Sequence, residues 1–105
     1  MADPKEYSVS VTDAVRLQFS LLQRRAMLFG VRDRILRALD EIDRQLRTNP
    51  REWGESSSTL RGMRMVLHTG FCDRIRVDYG VHETQPVVVV RNIEPEPGHP
   101  LHRQE

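Results

Sequence analysis

Apolar and polar positions alternate most cleanly in the stretch CDRIRVDYGVHE, residues 72–83. Ile75, Val77, Tyr79 and Val81 take every second place, with Arg74, Arg76, Asp78 and Gly80 between them. A period of two is the mark of a strand, whose successive side chains point to opposite faces. A strand is therefore predicted over 74–82, with one apolar face and one face carrying two arginines and an acid. Upstream, LRGMRMVLH (60–68) is also strand-like. Alternation there sets Met63, Met65 and Leu67 on one face and Arg64, Val66 and His68 on the other, and Thr69-Gly70 allows a turn. Glu83 to Pro86 form a hairpin connection. The run VVVVRNI (87–93) is continuously apolar at its start, which suits an interior strand covered on both faces.

The N-terminal half changes period. EYSVSVTD (6–13) alternates Tyr7, Val9 and Val11 with serine, a short first strand, after which Thr12 or Asp13 can cap a helix. Residues 14–29 are helical in spacing, and Gly30 is a break. Val31, Ile35, Leu36, Leu39, Ile42 and Leu46 then trace one stripe at a period of 3.6, a second helix ended by Asn49-Pro50. Its other face is charged. Asp33–Arg37, Asp40–Arg44 and Asp43–Arg47 stand four apart with the acid first, the favourable order. NPREWGESSST (49–59) reads as a loop, with Trp53 folding back as a piece of core.

The order strand, helix, helix, strand, strand, strand (β-α-α-β-β-β) predicts an α+β fold: two N-terminal helices packed on a mostly antiparallel sheet of about four strands. The 105 residues make a single domain over 1–93. EPEPGHPLHRQE (94–105), with three prolines and three acids, is expected to be an extended or disordered tail. Its His99 and His102 have no further ligand beside them, so no metal site is expected. Cys72 is the only cysteine, so no intrachain disulfide can form. No apolar run approaches the ~20 residues of a membrane span, and the start MADPKEYS has no secretion signal. A cytoplasmic protein is expected.

Charge adds one detail. The net charge is only +1, but 15 of the 16 basic residues are arginine, Lys5 being the exception. Arginine presents a planar fork that matches phosphate or carboxylate with two bonds. A genome-wide bias or ion pairing accounts for the excess as a whole. Locally, Arg61, Arg64, Arg74, Arg76 and Arg91 stand against Asp73, Asp78 and Glu83, while the tail is acidic.

Element order and local motifs together resemble the RelE/ParE superfamily of toxins from bacterial toxin–antitoxin pairs. The second helix ends in Leu46-Arg47-Thr48-Asn49-Pro50. A Trp53-Gly54-Glu55 loop follows, then Leu60-Arg61-Gly62 at the entry to the sheet. Arg76-Val77-Asp78-Tyr79-Gly80-Val81 is similar to the family's Arg-x-x-Tyr-x-Val strand, and an all-valine strand closes the sheet. The resemblance covers roughly 7–93. The chain departs from the RNA-cleaving members after the last strand, where Glu94-Pro95-Glu96-Pro97 stands in place of a basic residue and a tyrosine or histidine. It also has no lysine-bearing catalytic patch.

The resemblance implies one of two functions. The first is an endoribonuclease, cutting mRNA on the ribosome without metal or cofactor. RNA cleavage of this kind needs a base for the 2′-hydroxyl, cations for the pentacoordinate phosphorus and an acid for the leaving oxygen. If the strands pair as a meander, Arg64, His68, Arg74, Arg76 and His82 collect on the non-core face. Arg76 is then the transition-state cation by match to the family strand, with Arg64 beside it. His68 or His82 is the base or acid, since an unperturbed imidazole titrates near pH ~6.5, and Arg61, Arg74 and His82 hold RNA. The second is a ParE-like binder that engages gyrase or an antitoxin without cutting RNA. In either case a helical segment of a cognate antitoxin is expected to dock beside the helix pair. Against both stands the plain alternative that arginines on an exposed face keep it soluble or pair with Asp78 and Glu83.

Overall fold

A computed structural model describes residues 6–101. The chain runs β1 (Ser8–Val11), α1 (Asp13–Leu28), α2 (Arg32–Thr48), a one-turn α3 (Pro50–Trp53), β2 (Glu55–Leu60), a 3-10 turn (Arg61–Met63), β3 (Met65–Cys72), β4 (Ile75–His82) and β5 (Val87–Pro95). Over the described residues the fold is α+β, with three helices and a five-stranded mixed sheet in the order β1-β5-β4-β3-β2. β1 lies parallel to β5 and all other neighbours are antiparallel.

Helix ends follow local chemistry. Thr12 caps α1, its Oγ1 accepting from the Val15 N–H at 3.2 Å. At the other end Gly30 has φ +70°, and the Val31 and Gly30 amides bond back to the Ala26 and Met27 carbonyls. That left-handed closure explains the break between helices. In α2 the apolar stripe is the buried one: Ile35, Ala38, Ile42 and Leu46 are all 4% exposed or less. On its charged face Arg47 bonds Asp43, but Arg44 turns to Glu41 and Arg34 reaches across to Asp73. These pairs are exposed, so each contributes little to stability.

β4 is the central strand, flanked by β5 and β3. Ile75, Val77, Tyr79 and Val81 are fully buried beneath the helices with Val88, Val90 and Ile93 of β5. Arg76, Asp78 and His82 look the other way, where no helix lies. β5 is an interior strand, yet Val87 and Val89 stay half-buried because that second face has no covering layer. Past Val90, β1 ends, and Gln18 of α1 takes up the open edge by accepting from the Ile93 N–H at 3.1 Å.

Four expectations need correction. The segment 49–59 is not one loop: it holds α3 and the edge strand β2, whose Glu55–Thr59 side chains are all exposed and so show no alternation of burial. Thr69-Gly70 is no turn but the middle of β3. Gly70 is required because a Cβ there would fall 2.5 Å from the Trp53 ring. The real turn is Asp73-Arg74, both left-handed at φ 48° and 62°. This two-residue hairpin lacks the Asn-Gly or Asp-Gly signal that would have announced it.

Third, the faces of β3 are reversed. Cross-strand register sets His68 against Tyr79 and Gly70 against Val77, on the helix side. Met65, Leu67, Thr69 and Phe71 therefore share the open side with Arg76 and Asp78. Fourth, the domain does not end at residue 93. β5 runs to Pro95, and the chain then folds back so that His99 is buried and Leu101 joins the core. Up to Leu101 the tail is neither extended nor loose. His102 and the rest of 102–105 lie outside the described residues. Among the described residues no helix is long and apolar enough to cross a membrane.

Candidate functional site

The open sheet face is built in rows by the β3–β4–β5 register. Phe71, Arg76 and Glu94 form one row, and Thr69, Asp78 and Asn92 the next. The register slips by one residue between Asp78 and Tyr79, so Arg91 is the extra residue of a bulge in β5. Asp78 is the hub. Its Oδ1 accepts from the Thr69 hydroxyl (2.8 Å) and from Arg76 Nε (3.2 Å), and its Oδ2 from Asn92 Nδ2 (3.0 Å). Asn92 Oδ1 in turn accepts from Gln18 Nε2 at 2.8 Å. Partial burial pushes the Asp78 carboxyl up, but the hydrogen bonds from Thr69, Asn92 and Arg76 together hold it below the usual range. It is a fixed anion at neutral pH.

Arg76 stands between two shallow grooves. One, of about 330 Å³, is bordered by Thr69, Arg76, Asp78, Arg91 and Asn92 among others. The other, of about 310 Å³, lies between Arg76, Phe71 and residues 94–97. The Arg76 side chain is 46% exposed, and the bond to Asp78 is the one its guanidinium makes among the described residues. Neither Nη group makes a hydrogen bond among the described residues. The surroundings are balanced in charge, with Arg76 and Arg91 against Asp78 and Glu94, so the face is not a cationic cradle for a polyanion.

The other expected site residues do not converge on Arg76. His68 lies on the opposite face, 6% exposed, its ring stacked on Tyr79 with centroids 5.3 Å apart and its Nδ1 3.2 Å from the Gly54 carbonyl. It borders the larger groove, as Tyr79 does, yet its imidazole packs on the helix side, away from the arginine. Arg64 sits at the far end of the sheet, left-handed at φ 54°, its carbonyl accepting from the Glu83 amide. Seven residue steps lead from Arg76 to Glu83, about 23 Å at strand rise. Arg61 is exposed in the 3-10 turn at that same far end. His82 is there too, where its Nδ1 accepts from the Thr84 and Gln85 amides and so ties down the β4–β5 connection. Arg74, in the hairpin turn, donates from Nη2 to the Pro97 carbonyl at 2.8 Å. The expected catalytic set of Arg76, Arg64 and His68 is thus split between two faces and two ends of the sheet. No group of three or more metal-ligating side chains occurs among the described residues.

Tyr79 is structural, as its position in the alternation implies. Its ring stacks on those of Trp53 and His68, with centroids 5.7 and 5.3 Å away. Its hydroxyl donates to the Pro50 carbonyl (2.6 Å) and accepts from the Gly54 amide (2.9 Å). Burial pushes its pKa up to about 12, against a smaller opposite pull from the Gly54 amide, so it remains a donor. Cys72 is half-buried, and burial first, then the Glu41 and Asp73 carboxylates, push its thiol up; it is a poor nucleophile at neutral pH.

A different surface was not apparent from the sequence. α1 carries apolar side chains on the side away from the core: Leu17 is 62% exposed, Leu21 46% and Leu28 78%, with Met27 and Phe29 also exposed at the helix end. Leu17, Leu21 and Leu28 fall four and seven residues apart and line one stripe. Arg16 and Arg24 are exposed beside them, Arg25 is half-buried, and Asp13 is the one acid of the helix. The mixed apolar spacing of residues 14–29 is the signal that such a second face leaves: a helix apolar on two sides has a blurred period.

A scan against protein-family models and searches of curated proteins and of solved structures found no match to this chain.

Proposed function

We propose that this chain is a protein-binding component of a toxin–antitoxin pair of the RelE/ParE kind, acting through contacts of its helical layer rather than by cutting RNA. The observation that carries this reading is the exposed Leu17–Leu21–Leu28 stripe of α1, flanked by arginine. Exposed apolar side chains aligned along the outer face of a packed helix favour a partner. Its occupant is a helical antitoxin segment, apolar on one side and acidic along its margins, because Arg16, Arg24 and Arg25 outnumber the lone Asp13. A second copy of the chain would bring arginine against arginine. Separation of Arg76, Arg64 and His68 argues in the same direction, since the histidine expected as base lies on the other face of the sheet from the cation that would stabilise the phosphorus.

The test is affinity for the product of a neighbouring reading frame that has an acidic amphipathic end. Leu21→Asp is expected to weaken that complex about thirtyfold or more, the loss of a central anchor. The same change should move stability by no more than about 0.5 kcal/mol, as at other exposed sites. Calorimetry on the purified pair, with urea unfolding of the free variant, reads both. Equal affinity for parent and variant removes the α1 stripe from the interface.

A second reading keeps one observation for itself: the half-exposed Arg76 side chain stands between two grooves, with neither Nη group bonded among the described residues. That leaves room for a phosphate and hence for RNA. Expression with and without Arg76→Ala separates the readings. Growth arrest with intact transcripts, unchanged by Arg76→Ala, supports the binder. Transcript cleavage abolished by Arg76→Ala supports the nuclease.

A further inference from the structure

Beyond Pro95 the chain forms a strap that closes over the β3–β4 hairpin. Five contacts build it. The Glu96 amide donates to the Arg74 carbonyl and the His99 amide to the Glu96 carbonyl. Arg74 Nη2 donates to the Pro97 carbonyl. The Leu101 amide donates to His99 Nδ1 at 3.0 Å, and the Leu101 side chain is fully buried in the core. Gly98, at φ +90°, lies directly under the Arg74 guanidinium; a Cβ there would meet Nη2 at 2.8 Å. The arginine tip could move aside, so it is the positive φ that favours glycine at this crossing.

His99 is the unusual member. It is 3% exposed, and its Nε2 is buried without a hydrogen-bond partner among the described residues. Because Nδ1 accepts from Leu101, the neutral ring carries its proton on Nε2. A second proton would have to go to Nδ1 and would eject the Leu101 amide. The resulting cation would face Arg34 of α2 and Arg74 of the hairpin. Asp73 opposes them, but its carboxylate is already held by two bonds from Arg34, with Arg37 also near it. Glu96 is the acid on the strap between Pro95 and Leu101. Burial first, then Arg34 and Arg74, lower the His99 pKa, while Asp73 pulls it up less.

We propose that residues 96–101 are an acid-released strap, with protonation of His99 Nδ1 as the trigger and the Leu101 anchor as what is let go. The undocked strap accepts a proton near the ordinary histidine value of ~6.5, and the docked strap resists it until lower pH. As pH falls through that window the undocked form binds more protons and gains at the docked form's expense. Asp73 is not the trigger, since Arg34 keeps it ionised there. Release has a consequence at the open face: Pro95, Glu96 and Pro97 wall the second groove beside Arg76, so undocking widens it. The device stands independently of which partner α1 binds.

The experiment is NMR on the whole chain between pH 7.5 and 5. The protection of the Leu101 amide, corrected for intrinsic exchange, is expected to fall several-fold on acidification. The fall should set in near the ordinary histidine value of ~6.5 and level off where the docked His99 ring itself titrates, while the Val77 and Val88 amides stay protected. His99→Asn keeps an acceptor for the Leu101 amide and cannot titrate, so its Leu101 protection should stay level over the same range. A level wild-type curve overturns the proposal. So does an identical acid loss in wild type and His99→Asn, or a His99 titration that leaves the Leu101 amide unmoved.

Discussion

Tyr79→Ala is expected to destabilise the domain by about 3–5 kcal/mol, the range for removing a large buried aromatic. Tyr79 is the largest fully buried side chain, and it holds three separate parts of the fold. Its ring stacks on both Trp53 and His68, so its loss opens a cavity beside both rings. Its hydroxyl joins the Pro50 carbonyl to the Gly54 amide across the turn that leads from α2 into β2. Tyr79→Phe isolates that second role. It keeps the stack and orphans two main-chain groups, an expected loss of about 2–3 kcal/mol. Two-state urea unfolding of both variants gives the values. A Phe variant as stable as the parent would show that the hydroxyl bridge contributes nothing net, and the α3 turn would then rest on Trp53 and Gly70 alone.

Leu101→Ala is the second large effect, about 2–4 kcal/mol. Proline-rich and acidic composition marks 94–105 as a tail that can be cut away without cost. Leu101 nonetheless packs in the same cluster as Ile75 and Val77 with no exposure at all. Truncation after Pro95 should cost at least as much as Leu101→Ala, because it also removes the cover over the hairpin. Urea midpoints measured at pH 7.5, where His99 is neutral and the strap docked, check both. If truncation after Pro95 leaves the midpoint in place, the segment is an ornament on a core that ends with β5.

What the chain's own pattern determined is the helix-side core. Strict alternation in β4 and the 3.6-residue stripe of α2 each placed their apolar face correctly, because burial of one face is the dominant local term and the period follows from backbone geometry. Class, helix count at the N-terminus and the inward aim of Tyr79 follow from that alone. Tertiary structure decided everything that depends on pairing. β3 carries apolar and polar groups on both faces, so its own pattern could not choose. Register against β4, with Trp53 lying on Gly70, put His68 inside and Thr69 outside. A one-residue change of register swaps the faces of a strand, and with them went the expected meeting of His68 and Arg76. The Asp78 network joins Gln18, Thr69 and Asn92 across 74 residues of sequence and leaves no local trace. His99 and Leu101 are buried although their neighbours are prolines and acids, because the chain beyond β5 bonds back to Arg74 of the hairpin and sets Leu101 in the core cluster. Periodicity reports which side of an element is buried; which elements share that side is settled by hydrogen-bond register and packing between segments far apart in the chain.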